Sequence, residues 1–413
     1  MRILLINPRN DDLTNPAYWP PLGLLYVGAA LQSGGHDVRV ADLALDPFPD
    51  ASYQPGLIGV GCTTPNYLAV REIIGTCRQQ WPGVPVVVGG PHVSIVPEDG
   101  TRLGADTTVI GDGESAMVQI AAEIERGAGA RRFLKSEAVN VNQWPIPARD
   151  LVPMERYAAR ELGRSSTSLI TTRGCCPYQC AFCCKWKGGS ALRYRDLENV
   201  VEEVEQLKSM GYRSLRFFDD ELNLNGRRLM DLCDALRPLC VEWTCLVRAN
   251  LFTDAQAEAM VQAGCRMVQM GVESGSDEIL AGVNKGETVA DSTRARKIAR
   301  EHGLQCWAFF VVGLPGESSG TIQATRRWLL DNRPDMFSVY TFQPFPGTAI
   351  HDKPNGFDIR FPRPLPYDQF ALGIRGTTAR PMHCLVSTSA MSSEEIVEAR
   401  RYLDTDVRKE IGL

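Results

Sequence analysis

Three cysteines in one short segment have the spacing of metal ligands. Cys176, Cys180 and Cys183 stand at C-x3-C-x2-C spacing, with Pro177 and Gln179 between them. These two residues are typical of a loop, and a loop lets three nearby thiolates converge on one iron–sulfur cluster. A four-iron cluster normally takes four cysteine ligands, so a cluster held by three leaves one iron open. An open iron can bind a small molecule and pass an electron to it.

Two further cysteines flank this triplet. Cys175 precedes it and Cys184 follows it, so that five of the chain's 13 cysteines lie within ten residues. A secreted disulfide framework distributes paired cysteines through a short chain, and this pattern differs from it. Cys180 and Cys184 offer a second register for two ligands, but no third cysteine follows at the required distance. We therefore assign the ligands to Cys176, Cys180 and Cys183. For Cys184, two alternatives remain, a redox role or no role.

The bulk composition predicts a soluble protein of two or three domains. The chain has 413 residues, of which 44% are hydrophobic and 23% charged, and its net charge is −5. This balance predicts no broad basic surface for nucleic acid. The first residues lack the apolar length and cleavage site of a signal peptide, and the longest apolar run, residues 306–312, is far shorter than a membrane span. We expect a cytoplasmic protein with no membrane span and no nucleic-acid partner.

Short apolar runs alternate with amphipathic stretches along residues 1–135. The runs predict strands at 2–7, 37–41, 57–61, 84–88 and 107–110, and the stretches predict helices at 22–33, 67–80 and 115–126. The alternation predicts a doubly wound, Rossmann-like (flavodoxin-like) α/β domain. Ligands bind such sheets at the carboxyl ends of the strands. Three of these ends carry small residues, namely Gly61-Cys62-Thr63-Thr64, Gly89-Gly90-Pro91 and Gly111-Asp112-Gly113-Glu114.

A second strand–helix series follows a segment rich in glycine and proline. Residues 136–162 show no clear period and predict a linker. Within residues 163–350, six strands are predicted at 168–172, 214–218, 243–247, 267–272, 306–312 and 336–342, with helices between them such as 197–209 and 291–302. Six βα units predict a partial barrel, whose chemistry lies on the loops after its strands. The cysteine segment follows the first of these strands. Residues 351–413 form a short C-terminal extension with one predicted helix.

The cysteine segment and its flanks resemble the radical S-adenosylmethionine (SAM) superfamily. The resemblance rests on the cysteine triplet with Phe182 before its last member, and on Arg173-Gly174 and Pro177-Tyr178 beside it. The domain order, with Trp-Pro-Ile-Pro-Ala-Arg-Asp at 144–150, is similar to the subclass that has a cobalamin (B12)-binding domain. The resemblance implies a [4Fe-4S] cluster, SAM and cobalamin as cofactors, and a partial six-unit (β/α) barrel. It also implies an external low-potential electron donor of the flavodoxin or ferredoxin type.

The resemblance places SAM contacts on residues that follow the predicted barrel strands. A carboxylate of Asp219 or Asp220 would accept hydrogen bonds from the SAM ammonium, although aspartates also cap helices. Arg248 is suited to gripping a carboxylate. The other implied contacts are Phe182 beside the cluster, Glu273 and Ser274 at the ribose, and Gly313 at the adenine.

The resemblance also places a cobalamin site at the strand ends of the first domain. The implied contacts are Thr63, Thr64, Gly89, Gly90, Pro91, Gly111, Gly113 and Glu114. The D-x-H-x-x-G element that supplies a histidine to cobalt in other cobalamin proteins is absent from the sequence. His92 follows the glycine pair outside that context. We therefore expect cobalamin to bind without a histidine lower ligand.

The resemblance implies a C-methyltransferase that moves a methyl group from SAM through methylcobalamin to an unactivated carbon of a small molecule. The alternative is an oxidative cyclase or a rearrangement (ring-contraction) enzyme, because the motifs identify the cofactors and not the product. Methylthiolation would need a second cluster, for which the first domain offers only Cys62 and Cys77. A cobalamin carrier or sensor would not need an intact cysteine triplet.

Beyond the cofactor ligands, the sequence assigns no catalytic residue. Candidates for substrate contact, with packing as the alternative, are Trp186, Tyr340, Phe342 and His351.

Overall fold

The chain folds into two compact units. A computed structural model describes residues 1–10, 15–129, 131–136, 140–175, 180–184, 192–370 and 382–413. The first unit comprises Met1–Ala159 and Lys185–Tyr194, and the second comprises Arg160–Cys184 and Arg195–Leu413. Cys176 and Trp186 lie outside the described residues.

A six-stranded parallel sheet forms the centre of the first unit. Its strands are β1 (Arg2–Asn7), β2 (Asp37–Asp42), β3 (Leu57–Gly61), β4 (Val86–Gly89), β5 (Thr107–Ile110) and β6 (Phe133–Lys135). Its helices are α1 (Leu22–Ser33), α2 (Tyr67–Gln80), α3 (Pro91–Ile95), α4 (Pro97–Arg102) and α5 (Gly113–Glu125). The strand order β2-β1-β3-β4-β5-β6 is flavodoxin-like, which confirms the predicted fold. The edge strand β6 has three residues and is too short for its sequence pattern to predict it.

Burial on both faces explains why these strands read as continuous apolar runs. Residues 3–6 of β1, which lies between β2 and β3, are at most 1% exposed. The segment after β6 also packs on this unit. The amide of Ala148 donates to the Leu25 carbonyl at 3.1 Å, and the Tyr157 hydroxyl donates to Asp42 Oδ2 at 2.6 Å.

A seven-stranded sheet forms the second unit. The strands of this part of the chain are β7 (Arg160–Glu161), β8 (Arg164–Leu169), β9 (Thr172–Arg173), β10 (Arg193–Tyr194, which belongs to the first unit), β11 (Ser214–Phe217), β12 (Glu242–Leu246), β13 (Cys265–Glu273), β14 (Gln305–Val312) and β15 (Met336–Thr341). The sheet order is β15-β14-β13-β12-β11-β8-β7. Six of these strands are parallel, and β7 pairs antiparallel with β8 at the edge. The six parallel strands confirm the predicted partial (β/α) barrel.

Strand β8 ends earlier than predicted because the backbone after it bonds to a side chain instead of to a neighbouring strand. The predicted strand ran from 168 to 172, but the paired residues end at Leu169. The amide of Thr171 donates instead to Asp219 Oδ1, at 3.0 Å. The cysteine segment therefore leaves the barrel at a point fixed by Asp219.

Helices alternate with the strands of this unit and follow the last strand. They are α6 (Leu197–Ser209), α7 (Gly226–Leu236), α8 (Asp254–Gln262), α9 (Asp277–Gly282), α10 (Val289–Glu301), α11 (Ser319–Asn332), α12 (Ala349–Asp352), α13 (Ser393–Arg401) and α14 (Arg408–Ile411). A π-helical turn, Tyr402–Val407, joins α13 to α14. Among the described residues, no helix combines the length and the apolarity that a membrane crossing needs.

The two faces of the barrel sheet differ in burial. Alternate residues of a strand point to opposite faces. On the outer face, Phe310 packs its ring against Trp328 of α11, with ring centroids 5.5 Å apart. On the opposite face, here called the inner face, the register places Arg216 beside Thr244 and Phe309 beside Ser338. This inner face combines polar and aromatic side chains, in contrast to the outer face, on which the side chains are buried.

The C-terminal helices protect the edge strand β15. Arg400 Nε donates to the Val339 carbonyl at 3.0 Å, and Arg408 Nη2 donates to the Phe337 carbonyl at 2.7 Å. Exposed edge strands offer unpaired backbone groups to other chains. The two arginines occupy carbonyls that a further strand would otherwise use.

Candidate cofactor-binding site

The described part of the cysteine segment is anchored by its backbone. The amide of Ala181 donates to the Val283 carbonyl at 2.8 Å, and the amide of Ile350 donates to the Ala181 carbonyl at 3.2 Å. A turn follows, in which the Cys183 amide donates to the Cys180 carbonyl at 3.1 Å. The thiols of Cys180 and Cys183 are therefore carried on a short turn held from both sides. Cys176 lies outside the described residues.

A buried lysine lies next to this turn. The Lys285 carbonyl is 3.9 Å from Cys180 Sγ. Its ammonium pairs with Glu273 Oε1 at 3.0 Å and with Glu287 Oε2 at 3.4 Å. Burial works to lower the pKa of Lys285, but the two carboxylates outweigh it and raise that pKa above its ordinary value. The two carboxylates therefore favour the charged form of Lys285, beside the Cys180 thiol.

Arg248 makes internal contacts around the same lysine. One terminal nitrogen donates to the Lys285 carbonyl, and the other lies 3.4 Å from Glu221 Oε1. Its backbone is held by Asn223, whose side chain accepts from the Arg248 amide at 2.7 Å and donates to its carbonyl at 3.0 Å. Arg248 is 1% exposed, so its guanidinium lies within this network.

Asp219 and Asp220 have different environments. Asp219 is 4% exposed and accepts hydrogen bonds from the Thr171 amide at 3.0 Å and the Thr171 hydroxyl at 2.9 Å. Burial raises the pKa of Asp219 to about 6, although the hydrogen bonds from Thr171 and Thr172 oppose the rise. Asp220 is exposed to solvent. The first carboxylate fixes the start of the cysteine segment, and the second is accessible.

Glu273 has a backbone conformation that few residues adopt. Its φ is 61°, in the left-handed region, and the pairing of β13 with β14 shifts between Gly271 and Glu273. A Cβ at Gly271 would overlap the Glu273 carboxylate and lie 3.0 Å from Lys285 Nζ. The glycine therefore lets the carboxylate turn back towards Lys285, and this ion pair holds a conformation that costs roughly 1–3 kcal/mol.

Ser274 and Gly313 lie at the ends of β13 and β14. The Ser274 hydroxyl accepts from the Ser276 amide at 3.2 Å. Gly313 has a φ of 84°, and a Cβ there would lie 3.0 Å from Ile396 of α13. The glycine is therefore required by the close approach of the C-terminal extension, a constraint that its sequence context did not predict.

Glu317 binds the backbone at Gly313. Glu317 is 1% exposed, and its carboxylate accepts from the Gly313 amide at 3.3 Å and from the Thr321 hydroxyl. Burial raises the pKa of Glu317 to about 7, and these two hydrogen bonds limit the rise.

Glu317→Gln is expected to flatten the dependence of stability on pH. A carboxyl with a raised folded-state pKa stabilises most below its unfolded pKa and loses that stabilisation as pH rises through its folded pKa. The rise from 4.5 to about 7 corresponds to about 3 kcal/mol, lost between roughly pH 4.5 and 7. Urea unfolding midpoints at pH 5 and pH 8 should differ less in the variant, with the remaining slope due to groups such as Asp219. An unchanged slope would contradict this assignment.

The donor set of the second unit fits an iron–sulfur cluster. Two thiols, those of Cys180 and Cys183, lie on one turn at the carboxyl end of the barrel strands. Burial raises the pKa of the Cys180 thiol, while Lys285 and Arg248 act to lower it. Iron binds the thiolate, and the two cations favour that form and the negative charge of a thiolate-ligated cluster.

The sheet edge of the first unit fits a large ligand. The loops after β3, β4 and β5 carry residues that are partly or fully exposed, namely Gly61, Thr63, Gly89, Gly90, Pro91, Gly111 and Gly113. Gly90 has a φ of 110°, and a Cβ there would lie 2.7 Å from the Cys62 carbonyl. Two of the loops therefore pack backbone against backbone, and no side chain fills the edge at that position.

His92 is held by its neighbours on both ring nitrogens. Its Nδ1 lies 3.0 Å from Thr64 Oγ1, and its Nε2 lies 3.0 Å from Asp99 Oδ2. Burial acts to raise the pKa of Asp99, but hydrogen bonds from His92 and Arg102 hold it below its ordinary value. Thr64 and His92 thus form an internal hydrogen-bonded chain under the glycine loops.

The loop after β5 is also anchored internally. The amide of Gly111 donates to Ser94 Oγ at 3.0 Å, and Asp112 forms an ion pair with Arg193. Glu114, in the first turn of α5, is 2% exposed. Of the residues implied at this end, Gly111 and Gly113 are partly accessible, and Glu114 is buried.

Comparison with known proteins agrees with both units. The radical SAM superfamily profile matches residues 169–329, and the B12-binding domain profile matches residues 13–121. An uncharacterized methyltransferase of Pyrococcus horikoshii is 31% identical over 383 residues, which cover 85% of this chain and 82% of that protein. The chain belongs to the radical SAM enzymes with a B12-binding domain. Its cofactors are accordingly a [4Fe-4S] cluster, SAM and cobalamin.

Two further similarities concern an enzyme with another product and a solved structure. The anaerobic magnesium-protoporphyrin IX monomethyl ester cyclase of Rubrivivax gelatinosus is 25% identical, over 87% of this chain and 72% of that enzyme. The structure of the radical SAM methyltransferase TsrM from Kitasatospora setae, with cobalamin and a [4Fe-4S] cluster bound, has a TM-score of 0.72 at 20% identity. It covers 91% of this chain and 82% of TsrM, and this radical SAM enzyme therefore shares the TsrM fold.

Three residues of the site were not found by sequence reasoning. Lys285, Glu287 and Asn223 follow no predicted strand directly, and placing them needs the path of the loops. The sequence signal for Lys285 is the turn-forming pattern Asn284-Lys285-Gly286. In the structure, Asn284 and Gly286 have positive φ values of 51° and 68°.

Proposed function

We propose that this radical SAM enzyme is a cobalamin-dependent C-methyltransferase, which moves a methyl group from SAM to an unactivated carbon of a small molecule. The observation that carries the proposal is the presence in one chain of a thiol-bearing barrel edge and a flavodoxin-like B12-binding unit, in a relative of a methyltransferase. When bound, the cluster and SAM supply radical chemistry, and cobalamin supplies a methyl carrier.

The barrel residues would hold and orient SAM beside the cluster. Asp220 is the accessible carboxylate at the end of β11, so it is better placed than the internally bonded Asp219 to accept from the SAM ammonium. Glu273 would face the ribose, and Ser274, which is 1% exposed and accepts from the Ser276 amide, would hold that loop from inside. Gly313 would border the adenine through its backbone, since Ile396 fills the space on the side where a Cβ would lie. Arg248 and Lys285 would act indirectly. Their positive charges would hold Glu221 and Glu273, respectively, in place through ion pairs.

Cobalamin would bind the first unit without a histidine lower ligand. Both ring nitrogens of His92 already have partners, and its side chain is 2% exposed. His36, the other histidine of that unit, precedes β2 at the amino ends of the strands. The loops with Thr63, Gly89 and Gly111 would therefore contact the cofactor through small groups and backbone. An external low-potential donor of the flavodoxin or ferredoxin type would supply electrons.

The proposal is tested without knowledge of the substrate. The protein is reconstituted anaerobically with iron, sulfide and cobalamin, then given SAM with a trideuterated methyl group and a low-potential reductant. We expect S-adenosylhomocysteine in an amount close to that of bound cobalamin, and the label in the cobalamin fraction.

The second candidate is an oxidative cyclase or rearrangement enzyme, which the likeness to the Rubrivivax cyclase favours. In that case, 5′-deoxyadenosine would accumulate with no S-adenosylhomocysteine and no label on cobalamin. This result would contradict methyl transfer.

A further inference from the structure

The inner face of the barrel sheet carries a row of aromatic side chains that the proposed cofactor contacts do not use. Trp307 and Phe309 lie on β14, and Tyr340 lies beside them on β15. The ring centroids of Trp307 and Phe309 are 5.3 Å apart, and those of Phe309 and Tyr340 are 6.3 Å apart. Phe218, directly after β11, belongs to the same face. These four residues are called the aromatic row.

The aromatic row is accessible, whereas its neighbours in sequence are not. Phe310 on the outer face is 0% exposed and Phe337 is 2% exposed. Trp307, Phe309 and Tyr340 are only half-buried, and Phe218 is 38% exposed. Aromatic rings that retain solvent exposure on a concave sheet face are typical of ligand sites.

Arg216 contacts two rings of the row, Phe218 and Trp307, and adds no net charge to it. Its guanidinium lies over the Phe218 ring at 5.4 Å from the centroid and over the Trp307 ring at 5.9 Å. Its charge is balanced by Glu161, 3.2 Å away, and it also donates to Gln269. Gln269 is 1% exposed, and its Nε2 has no hydrogen-bond partner among the described residues. The row therefore offers a ligand the flat faces of aromatic rings, next to an uncharged polar side chain, Gln269.

We infer that the aromatic row binds a planar aromatic ring of the substrate. This inference rests on the proposed methyl transfer to a small molecule and names the class of that molecule. Aromatic rings gain from offset-stacked and edge-to-face contacts beyond the area they bury. A saturated ring of the same size lacks this gain, so the row distinguishes the two.

A matched pair of neutral probes tests the inference. Naphthalene-2-carboxamide and its decahydro analogue share their carbon skeleton and amide group, but the analogue is saturated. Their dissociation constants are measured by equilibrium dialysis against the anaerobically reconstituted holoprotein. We expect the aromatic amide to bind about 5-fold more tightly, and Phe218→Leu and Phe309→Leu/Tyr340→Leu to remove most of that preference.

The control variant is Phe133→Leu, outside the row. Phe133 also lies under an arginine, with Arg132 5.1 Å from its centroid. The preference should survive in this variant. Equal binding of the two amides, no binding of either, or a preference that persists in Phe218→Leu would overturn the inference. Formation of S-adenosylhomocysteine in the same samples reports on methyl transfer separately, so either idea can fail alone.

Discussion

Cys180→Ala should lose its iron and labile sulfide almost completely after anaerobic reconstitution, and with them all cleavage of SAM. A [4Fe-4S] cluster on three cysteines has no spare ligand, so one missing thiolate removes the site. The fold should tolerate the change, because the turn is held through the backbone of Ala181. Among the described residues, the Cys180 thiol makes a long contact, 3.9 Å to the Lys285 carbonyl. Iron analysis and circular dichroism of the same samples measure both expectations.

Cys184→Ala is the matched control, since its thiol lies on the same segment. Its Sγ lies 3.4 Å from the Pro346 carbonyl, and burial raises the pKa of the Cys184 thiol to about 11. A thiol that stays protonated is a poor iron ligand. The variant should therefore retain iron and SAM cleavage. Full iron content in Cys180→Ala would exclude Cys180 as a ligand in either register. Equal loss in both variants would mean that the ligands follow the register of Cys180 and Cys184.

The strands could be predicted from sequence because burial imposes a simple pattern on them. β1, β3 and β5 have the predicted bounds, since each is a short, largely apolar run that is buried in the sheet. The loops that carry chemistry could also be placed, because they follow strands at one edge. The predicted strands are therefore sufficient to identify the edge of each sheet at which a cofactor binds.

The detailed roles of side chains could not be predicted in the same way. Asp219 and Asp220 are adjacent in sequence, yet one is 4% exposed and bonded to Thr171 while the other is exposed. Glu273 needs a partner twelve residues later, Lys285, on a turn with no periodic pattern. Such pairings depend on loop paths and on burial, which hydrophobic periodicity does not encode.

Lys285→Met is expected to destabilise the second unit strongly. The substitution preserves much of the side chain's length but removes the cation that Glu273 and Glu287 share. Glu287 keeps Arg248, whose Nε lies 3.7 Å away, whereas Glu273 loses its ion pair with Lys285. Removing one partner of a buried ion pair typically costs about 3–5 kcal/mol. The strained backbone of Glu273, with its φ of 61°, would also lose the contact that holds it. Urea unfolding monitored by circular dichroism should show a lower midpoint.

Lys297→Met is the control for the loss of a lysine as such, because the Lys297–Glu301 ion pair lies on the surface. Its nitrogen and oxygen are 3.7 Å apart, and the two side chains are 65% and 52% exposed. Exposed pairs contribute at most about 1 kcal/mol, so this variant should unfold close to the parent. Adding Glu273→Gln to Lys285→Met should recover part of the lost stability, since it removes the buried carboxylate whose ion pair was lost. Equal midpoints for the two lysine variants would show that Lys285 is not the centre of this network, and Glu273 would then need another group to hold it beside the cysteine turn.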